Sequence, residues 1–151
     1  MEQLDRRDLF AALSALAAFG ATALSAEAAT GAMLSDNRVI KFSELPIRKL
    51  SNGGQQRRVI EGTLTTGEFI EVHHTVLPAN QTPHPPHKHP NSEMVFMQTG
   101  HVEFIDEDGK AIPAGPGDII FTASNRMHGM RNTGGTAATY MVVSVGKQRE
   151  G

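Results

Sequence analysis

Four residues near the middle of the chain have the side chains and the spacing of a metal site. His87 and His89 are separated by one residue, Glu93 follows His89 by four positions, and His128 lies thirty-five positions further on. On a strand, residues two apart project to the same face, so both imidazoles would lie side by side while Lys88 points away. Three neutral imidazoles and one carboxylate suit a borderline divalent ion. We therefore predict one bound ion of Fe, Mn, Ni, Cu or Zn, and the residues do not distinguish among these metals.

A further histidine is a candidate for proton transfer. His74 lies on a predicted strand on which Ile70, Val72 and Val76 share its face. This alternation predicts that His74 points inward, where it would accept or donate a proton near the metal. A hydrogen-bonded histidine of the core is the more frequent role for such a residue, so both interpretations stay open. His84 lies among prolines in a stiff segment and is expected to face solvent.

Composition restricts the class of protein. The chain has 151 residues, of which 39% are hydrophobic and 20% are charged, and its net charge is −2. These values are typical of a soluble globular domain. The absence of cysteine excludes a disulfide, a thiolate nucleophile and a cysteine-based zinc site. After the first few residues the longest basic run is Arg57-Arg58, so we expect no nucleic-acid partner.

The first 28 residues have the order of a signal peptide. The pair Arg6-Arg7 precedes an uncharged stretch from Leu9 to Leu24, and Ala26-Glu27-Ala28 follows as a small-residue cleavage site. The arginine pair resembles the twin-arginine export signal. We therefore expect residues 1–28 to be removed, with no stable membrane insertion afterwards and a periplasmic or secreted mature protein. An amphipathic N-terminal helix packed on the domain and an uncleaved membrane anchor are the alternatives.

The rest of the chain is expected to be a single all-β domain. From Asn37 onward, short apolar runs alternate with turn residues and no helical period is found. Many short strands at this spacing indicate a sandwich or a barrel. The predicted strands cover residues 39–42, 57–64, 68–77, 92–98, 101–106, 118–122, 128–132 and 139–145.

The candidate metal ligands resemble the motifs of the cupin superfamily. His87-x-His89, followed by Glu93 and Gly100, matches the first cupin motif at fixed spacing. The resemblance covers nearly the whole mature chain, residues 37–146, as one domain.

A second stretch is similar to the other cupin motif. It consists of Gly117-Asp118 and the later His128-x-x-x-Asn132. The chain departs from the family pattern at Ala123-Ser124-Asn125, where Pro-x-Gly is usual. Asparagine can adopt the left-handed conformation that glycine normally supplies, so the turn is expected to survive.

The resemblance implies a double-stranded β-helix, or jelly-roll barrel, with the metal near its open end and a homodimer as the assembly. Four protein ligands in a six-coordinate shell leave two positions for a substrate or O₂. We therefore predict an exported enzyme of the dioxygenase or oxidoreductase type that acts on a small molecule. A metal-dependent isomerase or lyase and a non-catalytic small-molecule-binding protein are the alternatives, because the cupin fold serves all of these functions.

Overall fold

Residues 32–147 are described in the computed structural model of the protein. The predicted signal peptide, residues 1–28, lies outside this range. Within it, no helix is long and apolar enough to cross a membrane. A short 3-10 helix covers Phe42–Glu44. The strands are β1 (Met33–Leu34), β2 (Arg48–Lys49), β3 (Gln55–Leu64), β4 (Phe69–Leu77), β5 (Ser92–Thr99), β6 (Val102–Ile105), β7 (Ala111–Ala114), β8 (Ile119–Thr122), β9 (Gly129–Asn132) and β10 (Ala138–Gly146).

The strands form two sheets with a jelly-roll winding. The larger sheet has the order β1-β3-β4-β10-β5-β8, with β2 paired to β3, and the smaller has the order β7-β6-β9. All pairs are antiparallel except β1 with β3. The strand β10 lies between β4 and β5, so the last strand pairs with two strands from the middle of the chain. The prediction of an all-β fold is confirmed, although hydrogen bonds do not close the sheets into one barrel.

The core lies between the two sheets. Val102 and Ala114 of the smaller sheet belong to the same buried cluster as Ala138, Tyr140 and Val142 of the larger one. The three residues of β10 alternate with less buried neighbours, because successive side chains of a strand point to opposite faces. Full burial of an aliphatic or aromatic side chain contributes about 1.5–3 kcal/mol, so this shared cluster holds the sheets together.

Seven of the eight predicted strands are present, with ends shifted by at most two residues. The predicted strand at residues 39–42 is wrong. Val39 is 80% exposed, and among residues 32–147 no strand pairs with this segment. Three short strands, β1, β2 and β7, were not predicted. The strand β7 contains Pro113 and lies at the edge of its sheet, where the missing N–H removes no bond from the ladder.

Candidate metal centre

A pair of backbone hydrogen bonds joins the two sheets at the candidate site. The N–H of His87 donates to the carbonyl oxygen of His128, and the N–H of His128 donates to that of His87, each at 2.9 Å. His128 directly precedes β9 of the smaller sheet, whereas His87 lies on the segment that leads into β5 of the larger sheet. This bridge brings together two residues that are forty-one positions apart in the sequence.

Three of the four predicted ligands form a compact cluster. His87, His89 and His128 each offer one ring nitrogen, and these atoms lie within 4.8 Å of one another. His89 is 7% exposed and His128 is 5% exposed. Two nitrogens at about 2.1 Å from one ion are at most about 4.2 Å apart. The cluster therefore has close to the spacing that a single ion requires.

Backbone carbonyl groups orient two of these imidazoles. Nδ1 of His89 lies 2.8 Å from the carbonyl oxygen of Asn91, and Nδ1 of His128 lies 2.9 Å from that of Arg126. A carbonyl oxygen only accepts hydrogen bonds, so Nδ1 carries a proton in each ring, and in the neutral ring the lone pair is on Nε2. Within residues 32–147, Nε2 of His128 is buried without a hydrogen-bond partner. This arrangement fits a metal ligand, whose second ring nitrogen is usually held by such an acceptor.

Glu93, the fourth predicted ligand, adjoins the cluster. Its Oε2 lies 3.5 Å from Nε2 of His89, and its side chain is 21% exposed. Glu93 follows the first residue of β5, so the sheet fixes the start of its side chain while the loop before it carries the two histidines. The structure thus gathers three of the predicted ligands in one cluster and places the carboxylate of Glu93 beside one of them, His89.

The turns of both motifs have the conformations that the sequence predicts. Gly100 and Gly117 have φ values of 75° and 90°, and Asn125 has a φ of 60° in the place where cupins usually have glycine. The backbone N–H of Asn125 donates to the carbonyl oxygen of His89 at 2.8 Å. Asn125 therefore preserves the turn and also holds the segment that carries His89. Asp118 is structural, since its Oδ2 accepts a hydrogen bond from the N–H of Gly115 at 2.8 Å.

His74 lies on the outer face of the larger sheet, contrary to the predicted inward orientation. Its Nε2 is 3.0 Å from Oε1 of Gln98, and its ring packs edge-on against Phe42 at a centroid distance of 4.9 Å. The neighbours His73 and Thr75 are the residues of β4 that point inward. Burial lowers the pKa of His74, and the hydrogen bond with Gln98 opposes this shift. We therefore propose no proton-transfer role for His74.

Two adjoining cavities lie beside the histidines, and a separate one of about 350 Å³ borders His128 together with Phe121 and Arg126. Of the adjoining pair, the larger cavity measures about 190 Å³ and the smaller about 30 Å³. His128 lines the smaller cavity, and Glu93 and His84 line both. The space between the sheets therefore extends from the candidate metal ligands into the interior of the domain.

Sequence reasoning missed two residues of these walls. His84 is exposed, as expected, but its ring also lies 4.1 Å from that of His87, measured between centroids, and it lines both cavities. The signal that pointed to it was its position three residues before His87 on a stiff proline-rich segment. Arg48 also lines the larger cavity, and no local pattern marks it, because it lies on a two-residue strand.

The fold and the site together define a class of protein, the jelly rolls that carry a histidine-rich centre between their sheets. Residues 73–144 match the family described as the cupin domain. The chain has the cupin fold, and this family match supports its place in the cupin superfamily.

Solved structures share this fold at low sequence identity. A predicted oxalate decarboxylase from Thermotoga maritima has 24% identity and a TM-score of 0.60, over 72% of this chain and 99% of that chain. An RmlC-like cupin with a double-stranded β-helix fold from Methanocaldococcus jannaschii has 15% identity and a TM-score of 0.57, over 73% and 91%. The polyketide cyclase RemF from Streptomyces resistomycificus has 17% identity and a TM-score of 0.58, over 78% and 88%. A comparison with curated protein sequences found no match.

Proposed function

We propose that the protein is a metal-dependent enzyme that acts on a small molecule, with one divalent transition-metal ion held by His87, His89, Glu93 and His128. The observation that carries this proposal is the convergence of three histidine nitrogens within 4.8 Å. In two of these rings a backbone carbonyl accepts the proton on Nδ1, which directs the lone pair of the neutral imidazole to Nε2. When bound, the ion would supply Lewis-acid chemistry or, if it is redox-active, chemistry with O₂.

The protein contributes a small cavity beside these ligands. Tyr140 lines the larger cavity and is 2% exposed. Burial and the negative charge of Glu93 raise the pKa of Tyr140, and its hydrogen bond with Thr75 opposes the shift. The phenol therefore stays protonated at neutral pH, so it serves as a hydrogen-bond donor to a bound molecule and not as a base.

Among reaction types we favour oxidation of the dioxygenase class. Four protein ligands leave two open positions in a six-coordinate shell, which is the number that a substrate oxygen and O₂ need together. An isomerase, a lyase or a non-catalytic binding protein would use the same residues with a metal that does not change oxidation state. The identity of the metal therefore separates these alternatives.

Elemental analysis tests this proposal. The protein would be purified from a host that exports it, together with a variant carrying His87→Ala and His89→Ala, and with a control, His101→Ala, which alters an exposed histidine. About one equivalent of iron, manganese, nickel or copper that the double variant loses and the control keeps would support the dioxygenase interpretation. Zinc would favour the isomerase, lyase or binding alternatives, and wild-type protein without metal would refute the proposal.

We also propose that the protein is exported to the periplasm or the exterior after cleavage of residues 1–28. The support is the order of Arg6-Arg7, the apolar stretch and Ala26-Glu27-Ala28. Mass spectrometry of the exported protein should give an N-terminus at Ala29. Replacement of both arginines by lysine should leave the precursor uncleaved, and a mature protein that still begins at Met1 would contradict cleavage.

A homodimer is the assembly that we propose. Phe96, Ile119 and Phe121 form an apolar group on the outer face of the larger sheet, with exposures of 36%, 60% and 63%. Phe96 pairs directly with Ile119 across β5 and β8, so the group is continuous. Exposed apolar groups of this kind mark contact surfaces. In a dimer with two-fold symmetry, the apolar groups of both chains would be buried against each other. Sedimentation should give a dimer for the wild type and a monomer for Phe121→Glu; a monomeric wild type would contradict the proposal.

A further inference from the structure

An unpaired positive charge lies at the wall of the larger cavity. Arg48 is on β2, opposite Gln56 of β3, and both side chains line the cavity. In the part of the chain that the structure describes, Arg48 has neither an ion pair nor a hydrogen bond. By contrast, Arg58, Arg126 and Arg131 each form an ion pair with a glutamate. Arg48 is therefore available to a ligand.

The cavity has groups of opposite charge on its two sides. Arg48 lies on β2 and Glu93 on β5, and these strands are separated in the sheet by β3, β4 and β10. The wall between them carries the polar side chains of His73 and Thr75 from β4. A molecule that fills this space would thus have one end at Arg48 and the other beside the histidine cluster.

The chemistry of the wall selects a small organic acid. A guanidinium group binds a carboxylate through two parallel hydrogen bonds, and this geometry is among the strongest that proteins use for anions. A phosphate carries more negative charge than a carboxylate. The negative charge of Glu93 in the same space disfavours this additional charge. The volume of about 190 Å³ is below the range of about 300–1,000 Å³ for sites of drug-sized ligands. The cavity therefore suits a compact molecule.

We infer that the cavity binds a small carboxylic acid, with its carboxylate on Arg48 and a second oxygen directed toward His87, His89 and His128. The direction of the second oxygen rests on the proposed metal function, whereas the contact with Arg48 does not. The inference thus assigns the substrate class and makes Arg48 the residue that recognises it.

Calorimetric titration of the whole protein tests this inference. Acetate, glycolate and lactate would each be compared with the corresponding uncharged amide, in zinc-loaded and in metal-free protein. The variant Arg48→Met removes the charge but keeps an unbranched side chain. Lys49→Met is the matched control, because it removes one positive charge from the adjacent residue, which projects to the other side of the strand. Arg48→Lys keeps the charge and loses the fork of the guanidinium group.

We expect the wild type and Lys49→Met to prefer at least one acid over its amide by about tenfold or more. Arg48→Met should weaken binding of that acid by about tenfold or more, as loss of a charge-assisted hydrogen bond predicts. Arg48→Lys should recover part of the affinity. This recovery would attribute the loss in Arg48→Met to the missing charge and not to misfolding. Equal affinities in Arg48→Met and Lys49→Met, or no preference for any acid over its amide, would overturn the inference.

The two proposals fail in different ways. If the wild type binds neither zinc nor any of the other proposed divalent ions, the proposed metal function is refuted, and the dependence on Arg48 is then measured in metal-free protein alone. If zinc binds at His87, His89 and His128 but acids bind independently of Arg48, the carboxylic-acid inference is refuted and the metal function stands.

Discussion

Replacement of Asn132 by alanine is expected to destabilise the fold by about 3 kcal/mol. Asn132 is 1% exposed. Its Nδ2 donates to the carbonyl oxygens of Leu77, Pro78 and Thr136 at distances of 3.0, 3.1 and 2.8 Å. Its Oδ1 accepts a hydrogen bond from the N–H of Gly134 at 2.9 Å. This one side chain therefore ties the end of β9 to the end of β4 and to the turn before β10.

The magnitude follows from the number of bonds that the amide can make. The two N–H groups of the side chain are shared among three carbonyl oxygens, and Oδ1 adds one acceptor, so about three hydrogen bonds are lost. Each contributes about 1 kcal/mol net, and buried partners left unsatisfied raise the cost. Asn132→Asp should be at least as destabilising, because an ionised carboxylate cannot donate to these carbonyl oxygens.

Urea unfolding followed by circular dichroism measures both variants. Asn37→Ala is the control, because Asn37 is exposed and its replacement should change stability by less than about 0.5 kcal/mol. If Asn132→Ala costs less than about 1 kcal/mol, the buried amide does not hold these three segments together and the reasoning from its hydrogen bonds is refuted.

Two further predictions concern a turn and a titration. Gly100→Ala should destabilise the protein by more than about 2 kcal/mol in urea unfolding, because Gly100 has a φ of 75° and a new Cβ would lie 2.6 Å from Cα of Ala138. Gly109→Ala, with a φ of 78° and open space around it, should cost only about 1–2 kcal/mol; equal losses would argue against the steric account. Because burial lowers the pKa of His74, its neutral form contributes stability above the unfolded pKa of about 6.5, and this contribution is lost as the pH falls below that value. His74→Gln should therefore reduce the loss of thermal stability in acid, and parallel pH profiles would contradict this assignment.

Local physical rules account for what could be predicted about the candidate site. The rings of His87 and His89 lie beside each other, with centroids 5.2 Å apart, and Asn125 adopts the left-handed turn; both features follow from neighbouring residues in the sequence. Most strands could also be predicted from alternating apolar residues, since a half-buried strand needs that pattern wherever it lies in the fold. The strand β7 was missed because Pro113 is acceptable only at a sheet edge, and sequence does not show which strand forms the edge.

The inward face of β4 is a property of the tertiary structure. Both faces of this strand carry apolar residues, so periodicity alone does not show whether His73 or His74 points into the core. Phe42 packs against His74 on the outer face, so apolar side chains on this face also have a packing partner. The predicted orientation was wrong for this reason.

The sequence by itself determined the candidate ligand residues, the all-β class and the turn chemistry, because each depends on short-range spacing and residue type. Only the tertiary structure decided that the backbones of His87 and His128 are hydrogen-bonded to each other, that Arg48 and Glu93 line one cavity, and that the sheets share a core. The physical reason is the pairing of β10 between β4 and β5. Sheet order is set by long-range hydrogen bonds and by burial of side chains from both sheets, and neither is encoded in any single segment.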